Sequence, residues 1–285
     1  MIIWIASYPK SGNTWIRSLL SSYLYSSDGE FTFDLLENIK QFSSKNFSSE
    51  LNNKKNYQSR ISEDWIPSQK IINRDKKLHL LKTHNAMCSI NGNKFTDPLN
   101  TSAVLYIVRD PRNLITSLTH HYELTLSESF NFLSNDRKII FPNNPNTKKE
   151  DKNHNDFNFI SSWNGHYNSW KNINFCPVKI IKYEDFLVNT EEIFISILEF
   201  LKKFYKFNID SKKVKKALLT TSFDSLKSME ATKGFNESII SMKNKKKIRF
   251  FNLGKNNNWK KLLDSTMAKD IENKFKKTMT ELNYL

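Results

Sequence analysis

The sequence predicts an α/β fold, in which a central parallel sheet is flanked by helices within a single domain. Short apolar runs rich in β-branched and aromatic residues are typical of strands buried on both faces. Helical patterns alternate with these runs, as they do in α/β proteins. No linker-like composition divides the 285 residues, so we expect one domain over residues 1–285.

The first eighteen residues form the most informative stretch. Met1–Ala6 is a continuous apolar run and predicts a buried strand. Ser7–Thr14 contains proline, glycine and serine, which favour a loop. From Thr14 onward the apolar residues follow helical spacing, which places Trp15, Leu19 and Tyr23 on one face.

A strand, a basic glycine loop and a helix together predict an anion site. Loop amides and the helix N-terminus point to one place, and the helix macrodipole favours negative charge there. Lys10 adds a full positive charge, and Gly12 allows a tight turn. Neutral donors are supplied by Ser11, Asn13 and Thr14. The expected anion is a phosphate or a chemical relative of phosphate.

The glycine loop differs from the ATP-binding P-loop. The pattern G-x-x-x-x-G-K-[ST] is absent, and Lys10 precedes Gly12 instead of following a glycine. An ordinary turn with a solvated lysine is the simpler alternative for this loop taken alone. The loop therefore indicates a P-loop-like arrangement without naming the ligand.

Leu78–His84 predicts the second strand, whose last residues are polar. Ligands of open α/β sheets bind at the carboxyl ends of strands, so Lys82 and His84 are candidate site residues. A histidine there suits a general base near neutral pH. A structural, hydrogen-bonded histidine is the alternative.

Ala103–Val108 predicts the third strand, and Arg109 follows it directly. A guanidinium at a strand end can bind phosphate in a bidentate manner, although pairing with a carboxylate is the alternative. Asp110 and Pro111 suit the N-cap and first turn of a following helix. Ser117 lies two turns into that helix and adds a hydroxyl.

The remaining chain predicts one more strand and several helices. Val178–Tyr183 is the fourth strand, and Glu184 and Asp185 begin the next helix. Thr221–Phe223 should end a helix and open a turn. Further helical patterns cover Phe33–Ile39, Phe159–Asn172, Ile193–Phe204, Val214–Leu219 and Ser265–Leu282. We expect loop insertions near residues 26–75, 141–158 and 233–248, the last able to order over an anionic ligand.

Composition limits the partners and the compartment. The net charge of +15 is compatible with nucleic acid, an acidic surface or a small polyanion, and also with the high Lys and Asn usage of an AT-rich genome. Cys88 and Cys176 lack metal-ligand spacing, which favours reduced thiols and a cytoplasmic location. No apolar run reaches the roughly 18 residues of a membrane span. The loop begins too near Met1 for a signal peptide, and peripheral membrane contact stays open.

Taken in order, these motifs resemble the sulfotransferases that use 3′-phosphoadenosine-5′-phosphosulfate (PAPS). Tyr8–Trp15 resembles the loop that binds the 5′-phosphosulfate, and Lys82–His84 resembles the Lys-Thr-His catalytic segment. Arg109 with Ser117 resembles the pair that binds the 3′-phosphate. Two further segments, Tyr183–Asp185 and Thr221–Phe223, resemble those that surround the adenosine. Gly254 and Lys255, followed by Trp259, resemble the C-terminal glycine motif.

The resemblance implies PAPS as sulfuryl donor and adenosine 3′,5′-bisphosphate (PAP) as product, with no metal. It implies His84 as the base, with Lys10 and Lys82 stabilising the transferred group. It also implies donor binding by Lys10, Ser11, Gly12, Asn13, Thr14, Trp15, Arg109, Ser117, Tyr183, Thr221, Phe223, Gly254 and Lys255. Trp15 and Phe223 would stack on adenine. The acceptor would be a hydroxyl of a small molecule, carbohydrate or lipid, with no nucleic acid involved; the oligomeric state stays open.

One segment departs from the family pattern. An Arg-Lys-Gly sequence is common there, and this chain has Asn252, Leu253 and Gly254. Lys255 is the preferred replacement for the missing 3′-phosphate arginine, and Arg249 is the other candidate. The rival functions are a P-loop nucleotide kinase, a non-enzymatic binder of anions or nucleic acid, and an inactive relative.

Overall fold

Four parallel strands form the central sheet, in the order β2-β1-β3-β4. Their bounds are Ile2–Ser7 for β1, His79–Thr83 for β2, Thr101–Val108 for β3 and Val178–Lys182 for β4. The register places Ile5 beside both Lys82 and Leu105. All four carboxyl ends therefore meet at one edge of the sheet, as the sequence predicts.

The central strands are buried on both faces. In β1, Trp4 and Ala6 belong to one hydrophobic cluster, while Ile3 and Ile5 belong to a second on the opposite face. Successive side chains of a strand point to opposite faces, so this alternation requires helices on both sides. A strand buried on both faces needs apolar side chains at every position, which explains the continuous apolar run Ile2–Ala6.

Eleven helices surround the sheet among the described residues. Those preceding β4 are α1 (Asn13–Tyr25), α2 (Ile61–Ile72), α3 (Pro111–Tyr122), α4 (Leu126–Ser134) and α5 (Trp163–Lys171). Those after it are α6 (Tyr183–Val188), α7 (Thr190–Lys202), α8 (Ser211–Thr220), α9 (Phe223–Lys233), α10 (Trp259–Leu262) and α11 (Ser265–Glu281). Short 3₁₀ helices cover Phe33–Asn38, Asn73–Asp75 and Gly254–Asn256.

Asp110 caps α3 as predicted, because its side chain accepts a hydrogen bond from the Arg112 amide and Pro111 follows it. Three other expectations were wrong. Helix α2 lies within the stretch expected to be a loop insertion, where Trp65 is fully buried against Phe95. Tertiary packing stabilises this helix despite its internal proline, Pro67.

Phe159–Asn172, which was expected to form one helix, is not helical throughout. Asn158 and Phe159 form a short antiparallel ladder with Ile139 and Ile140, and helix α5 begins only at Trp163. The third wrong expectation concerns Thr221–Phe223, which opens a helix and not a turn. The Ser222 hydroxyl accepts a hydrogen bond from the Ser225 amide and so caps α9.

A third hydrophobic cluster lies apart from the sheet. It joins α9 to the chain segments before and after it through Phe31, Leu36, Leu226, Phe235 and Phe251. Its rings pack edge-on or tilted, for example Phe235 against Phe251 at 5.4 Å between centroids. This cluster supports one wall of the site described below.

The computed structural model describes residues 1–42, 61–141, 157–241 and 243–285, and the side chains of Ile61 and Lys255 lie outside that description. Residues 43–60 of the first predicted insertion and most of the 141–158 insertion also lie outside the described residues. Within the described ranges, none of the helices combines the length and the apolar character that crossing a bilayer needs.

Candidate active site

A cavity of about 760 Å³ opens at the carboxyl edge of the sheet. The loop between β1 and α1 forms its floor, and residues following β2, β3 and β4 form its sides. Many of the predicted site residues line it, namely Lys10, Gly12, Asn13, Thr14, Trp15, Lys82, His84, Arg109, Ser117, Tyr183, Phe223 and Gly254. Parallel strands therefore bring together groups that are far apart in the sequence.

The glycine loop is shaped by close packing of Tyr183 on Gly12. Gly12 has φ 100°, and a Cβ added there would lie 2.4 Å from a ring carbon of Tyr183. Only glycine fits both this conformation and this contact. Lys10 also has a positive φ of 66°, an uncommon conformation for a residue with a side chain. The turn leads the chain directly into the N-terminus of α1.

Asn13 and Ser11 have side-chain environments that the sequence did not reveal. The Asn13 amide donates to the Ile5 carbonyl at 3.0 Å and to the Ser7 hydroxyl at 3.1 Å, so it ties α1 to β1. Ser11 is fully buried and is not among the cavity-lining residues. Its Oγ has no hydrogen-bond partner among the described residues.

Lys10 lies in a positively charged and aromatic environment. Its Nζ is 3.6 Å from the centroid of the Phe250 ring, within cation–π distance. Burial, and then the charges of Arg109 and Lys82, lower the pKa of Lys10 to about 7. An anion bound beside this ammonium would restore its proton.

His84 is held in one tautomer by the end of β1. Its Nδ1 lies 2.8 Å from the Ser7 carbonyl oxygen, which can only accept, so Nδ1 carries the proton and donates it. Nε2 is then the unprotonated nitrogen of the neutral ring. Burial, and then Lys82, lower the pKa of His84 to about 3. The imidazole is therefore neutral at physiological pH.

A second histidine, which the sequence reasoning missed, supports the His84 backbone. His166 on α5 is fully buried, and its Nε2 donates to the His84 carbonyl over 3.1 Å. Its Nδ1 accepts a hydrogen bond from the Tyr106 hydroxyl at 2.8 Å. Tyr106 of β3 and His166 of α5 therefore form a series of hydrogen bonds that fixes the backbone at His84.

Arg109 presents unused donors to the cavity. Its Nη1 donates to the Lys10 carbonyl at 2.9 Å, and its guanidinium lies 4.4 Å from the centroid of the Tyr183 ring. Its Nε is buried and has no hydrogen-bond partner among the described residues. Ser117 lines the same cavity from α3. The arginine is thus oriented by two contacts while part of its fork stays available to an anion.

Aromatic side chains form the opposite wall. Trp15 packs against Phe186 with centroids 4.4 Å apart, and Phe223 lies against Gly254, where an added Cβ would be 2.7 Å from the ring. Thr221 differs from its prediction: it is fully buried, it donates to the Ala217 carbonyl at 2.7 Å, and it is not among the cavity-lining residues. Its neighbour Ser222 lines the cavity instead.

Glu237 is the main cavity residue that sequence reasoning missed. Its carboxylate accepts hydrogen bonds from Thr14, Arg17 and Lys82. The sequence did contain one indication of its importance, because Glu237 is the one acidic residue in the basic stretch Lys233–Lys247. The partners of that carboxylate come from distant parts of the chain, so the sequence could not identify them.

The segment that departs from the family pattern also borders the cavity. Asn252 and Leu253 line it, whereas Arg249 is exposed and is not among the lining residues. The Arg249 carbonyl accepts a hydrogen bond from His120 Nε2 over 3.0 Å. The side chain of Lys255, the preferred replacement, lies outside the described residues.

The chain matches one protein family and is similar in fold to several solved structures. The profile of the sulfotransferase domain family matches residues 2–283. A crystal structure of a mouse sulfotransferase complexed with PAP is 18% identical, with a TM-score of 0.62 over 98% of this chain and 84% of that one. A retinol dehydratase complexed with androsterone and the inactive cofactor PAP is 15% identical, with a TM-score of 0.61 over 98% of this chain and 80% of that one.

The same dehydratase fold recurs in a complex with retinol and PAP, at 16% identity and a TM-score of 0.57 over 98% of this chain and 81% of that one. At these identities the similarity to solved structures shows the fold alone. No curated protein sequence matches the chain.

Proposed function

Because the chain belongs to the sulfotransferase family, we propose that it transfers a sulfuryl group from PAPS to an acceptor hydroxyl. The observation that carries this proposal is the convergence of Lys10, Lys82, His84 and Arg109 on one cavity. These residues come from three separate strand ends. Together they combine anion binding with a neutral imidazole, which is what sulfuryl transfer requires.

The donor fits the polar groups of the glycine loop and its surroundings. Arg109 lines the cavity, and its buried Nε has no hydrogen-bond partner among the described residues. The α1 N-terminus and Lys10 suit the 5′-phosphosulfate. Arg109 and Ser117 would hold the 3′-phosphate, and Trp15 and Phe223 would flank the adenine.

His84 is the proposed general base. Its Nε2 is free to accept a proton because Nδ1 is committed to the Ser7 carbonyl. A pKa of about 3 makes it a weak base on its own. The multiply charged donor adds negative charge beside His84 and so raises its pKa toward the effective range. His84 would thus become an efficient base only when the donor is bound.

The proposed step is an in-line displacement at sulfur. The acceptor oxygen forms a bond to sulfur, and its proton passes to His84 Nε2. The bond from sulfur to the bridging oxygen breaks, and its electron pair stays on the 5′-phosphate of PAP. Negative charge grows on that oxygen, where Lys10 and the loop amides can stabilise it. Lys82 would hold the sulfuryl oxygens.

Several apolar and aromatic residues outside the predicted donor-binding set line the cavity together with His84. They are Tyr122, Ile140, Phe141, Ile239 and Phe250. Retinol and androsterone, which occupy the structurally similar dehydratase, are apolar molecules with one hydroxyl. We therefore propose a small or lipid-like alcohol or phenol as the acceptor of this chain, ahead of a carbohydrate.

Transfer of radiolabelled sulfate from PAPS tests the proposal. Purified protein is incubated with labelled PAPS and a panel of phenols, sterols, retinol and sugars. We expect label to move into an organic-soluble sulfate ester, with PAP released in equal amount. Absence of transfer to every member of the panel and to a cell lipid extract would contradict the proposed activity.

A thermal-shift comparison separates this function from the kinase alternative. PAP should raise the melting temperature, since it binds the native state alone. ATP with Mg²⁺ should raise it less. The opposite order would favour a nucleotide kinase.

A further inference from the structure

Glu237 contacts two predicted catalytic or donor-binding groups, yet nothing in the proposed reaction so far uses it. We propose that Glu237 is a positioning residue for sulfuryl transfer, which holds Lys82 and Thr14 toward the reacting group. The inference rests on the proposed function, because the roles of Lys82 and Thr14 come from there. It assigns a task to a carboxylate inside an anion-binding cavity.

The two oxygens of the Glu237 carboxylate have different partners. Oε2 accepts a hydrogen bond from Thr14 Oγ1 at 2.9 Å and from Lys82 Nζ at 3.2 Å. Oε1 accepts one from Arg17 Nη1 at 2.5 Å. A single carboxylate therefore links Thr14, in the first turn of α1, to Lys82, at the carboxyl end of β2.

Lys82 is consequently held at both ends. Its backbone amide donates to the Lys40 carbonyl at 2.9 Å, and its carbonyl accepts from the Phe42 amide at 2.8 Å. Its Nζ is held by Glu237. Arg17 connects the two restraints, because its Nη2 donates to the Ile39 carbonyl at 2.9 Å in the same segment that pairs with Lys82.

The backbone on either side of Glu237 is anchored. Phe235 is only 4% exposed and belongs to the third hydrophobic cluster. The Ser238 hydroxyl donates to Glu230 at 2.7 Å, and Glu230 also accepts from the amides of Phe250 and Phe251. Anchoring on both sides favours a fixed positioning role over a carboxylate that swings away when a ligand enters.

Charge supports the geometry. Burial lowers the pKa of Lys82, Arg17 lowers it further, and Glu237 raises it. Lys10, His84 and His121 are the other titratable groups whose charges interact with Lys82. Without the carboxylate, this buried lysine would lose its proton at a lower pH.

Glu237 is unsuited to be a base. Burial alone would raise the pKa of this carboxyl, but Lys82, Arg17 and their hydrogen bonds hold it well below its usual range. A carboxylate that binds protons so weakly cannot draw one from an alcohol. Its contribution is thus orientation of Lys82 and maintenance of the lysine charge.

Glu237→Gln tests the proposal, since glutamine keeps the shape and removes the charge. The assay follows PAP release from PAPS with the panel acceptor that gives the highest wild-type turnover, over a range of pH, alongside calorimetric PAP binding. We expect kcat to fall about 10- to 100-fold while the Kd for PAP changes little. We also expect the alkaline limb of the kcat profile to move to lower pH, which a purely structural defect would not cause.

Two further variants make the result specific. Glu237→Asp keeps the charge with a shorter reach and should restore part of kcat and the alkaline limb; it also carries the test if the glutamine variant fails to fold. Glu281→Gln is the matched control, because it removes the carboxylate from the Lys171 pair on the surface. It should leave both quantities unchanged.

The assays distinguish failure of the positioning role of Glu237 from failure of the proposed function. A wild-type chain that binds PAP and consumes PAPS, with a Glu237→Gln variant of equal kcat and pH profile, overturns the positioning role alone. Tighter PAP binding with unchanged turnover also overturns it, because Glu237 would then merely compete for the anion site. A wild-type chain that does not consume PAPS with any acceptor of the panel overturns the proposed function itself, whether or not it binds PAP.

Discussion

At the scale of single residues, tautomer and charge decide what each cavity group can do. His84 could be recognised from Lys82–His84, but its free Nε2 follows from the contact between Nδ1 and the Ser7 carbonyl. Residue type alone does not say which ring nitrogen is free. The chemistry of this histidine is therefore a property of two segments that lie 77 positions apart.

His84→Ala should abolish most transfer and leave donor binding intact. Loss of a general base costs about 10²- to 10⁴-fold in kcat, whereas PAP contacts the base little in the proposed arrangement. Single-turnover assays with PAPS and calorimetry with PAP measure the two effects. His79→Ala, at the opposite end of β2 and paired with Asp75, is the control. Near-normal turnover of the His84 variant would contradict its role.

Lys10 should make PAP binding dependent on pH. With a pKa of about 7, the lysine is largely neutral in the free protein above that pH. The PAP phosphate favours the charged form, so binding takes up a proton and affinity falls as pH rises through this range. Calorimetry at pH 8 in buffers of different ionisation enthalpy measures the uptake. Lys10→Met should weaken binding and remove most of the uptake; an unchanged uptake would exclude Lys10 as its source.

At the scale of elements, helix ends and strand ends orient the charged groups. Asp110 caps α3, and its Oδ2 also lies 2.7 Å from Nη2 of Arg112, which is buried. Arg112 in turn contacts Glu272 of α11 at 2.6 Å and the ring of Trp259 in α10. Asp110 thus orients Arg112, and Arg112 holds two C-terminal helices against α3.

Asp110→Ala should destabilise the protein by about 2 to 4 kcal/mol, because it removes a cap and leaves a buried guanidinium short of a partner. Asp110→Asn keeps an oxygen for the Arg112 amide and should cost less. Urea unfolding gives both values, and PAP calorimetry should show weaker binding for the alanine variant through displacement of Arg109. Equal unfolding free energies for the two variants would mean that the charge pair contributes nothing.

At the scale of the whole molecule, a wall of the cavity depends on the third hydrophobic cluster. Phe251 belongs to it, and its amide is held by Glu230. The neighbouring residues Phe250 and Asn252 line the cavity. Packing far from the sheet therefore supports the segment that departs from the family pattern.

Phe251→Ala should reduce both stability and PAP affinity. Loss of a buried phenylalanine costs about 3 kcal/mol or more in the free energy of unfolding. Phe194→Ala, in the cluster between the sheet and α7, should cost a similar amount and leave PAP affinity unchanged. Chemical unfolding and calorimetry separate the two effects. Equal affinities for both variants would show that the third cluster does not shape the cavity.

The sequence predicted much of the fold because local signals are strong in this chain. Four apolar strands, the glycine loop and the N-cap of α3 depend on residues close together in the chain. Helix α2 was missed because its stability comes from burial of Trp65 against Phe95, 30 positions away, and not from local pattern. The sequence likewise predicts a turn at Thr221–Phe223, where Ser222 caps α9.

By itself, the sequence determined the family, the parallel α/β sheet and the residues expected at its carboxyl edge, because these follow from ordered motifs and apolar periodicity. Only the tertiary structure decided which of those side chains meet. It placed Tyr183 on Gly12, buried Ser11 and Thr221 away from the cavity, and brought Glu237 to Lys82. Such contacts join residues more than 100 positions apart, and their geometry is set by strand register and core packing, which no local pattern encodes.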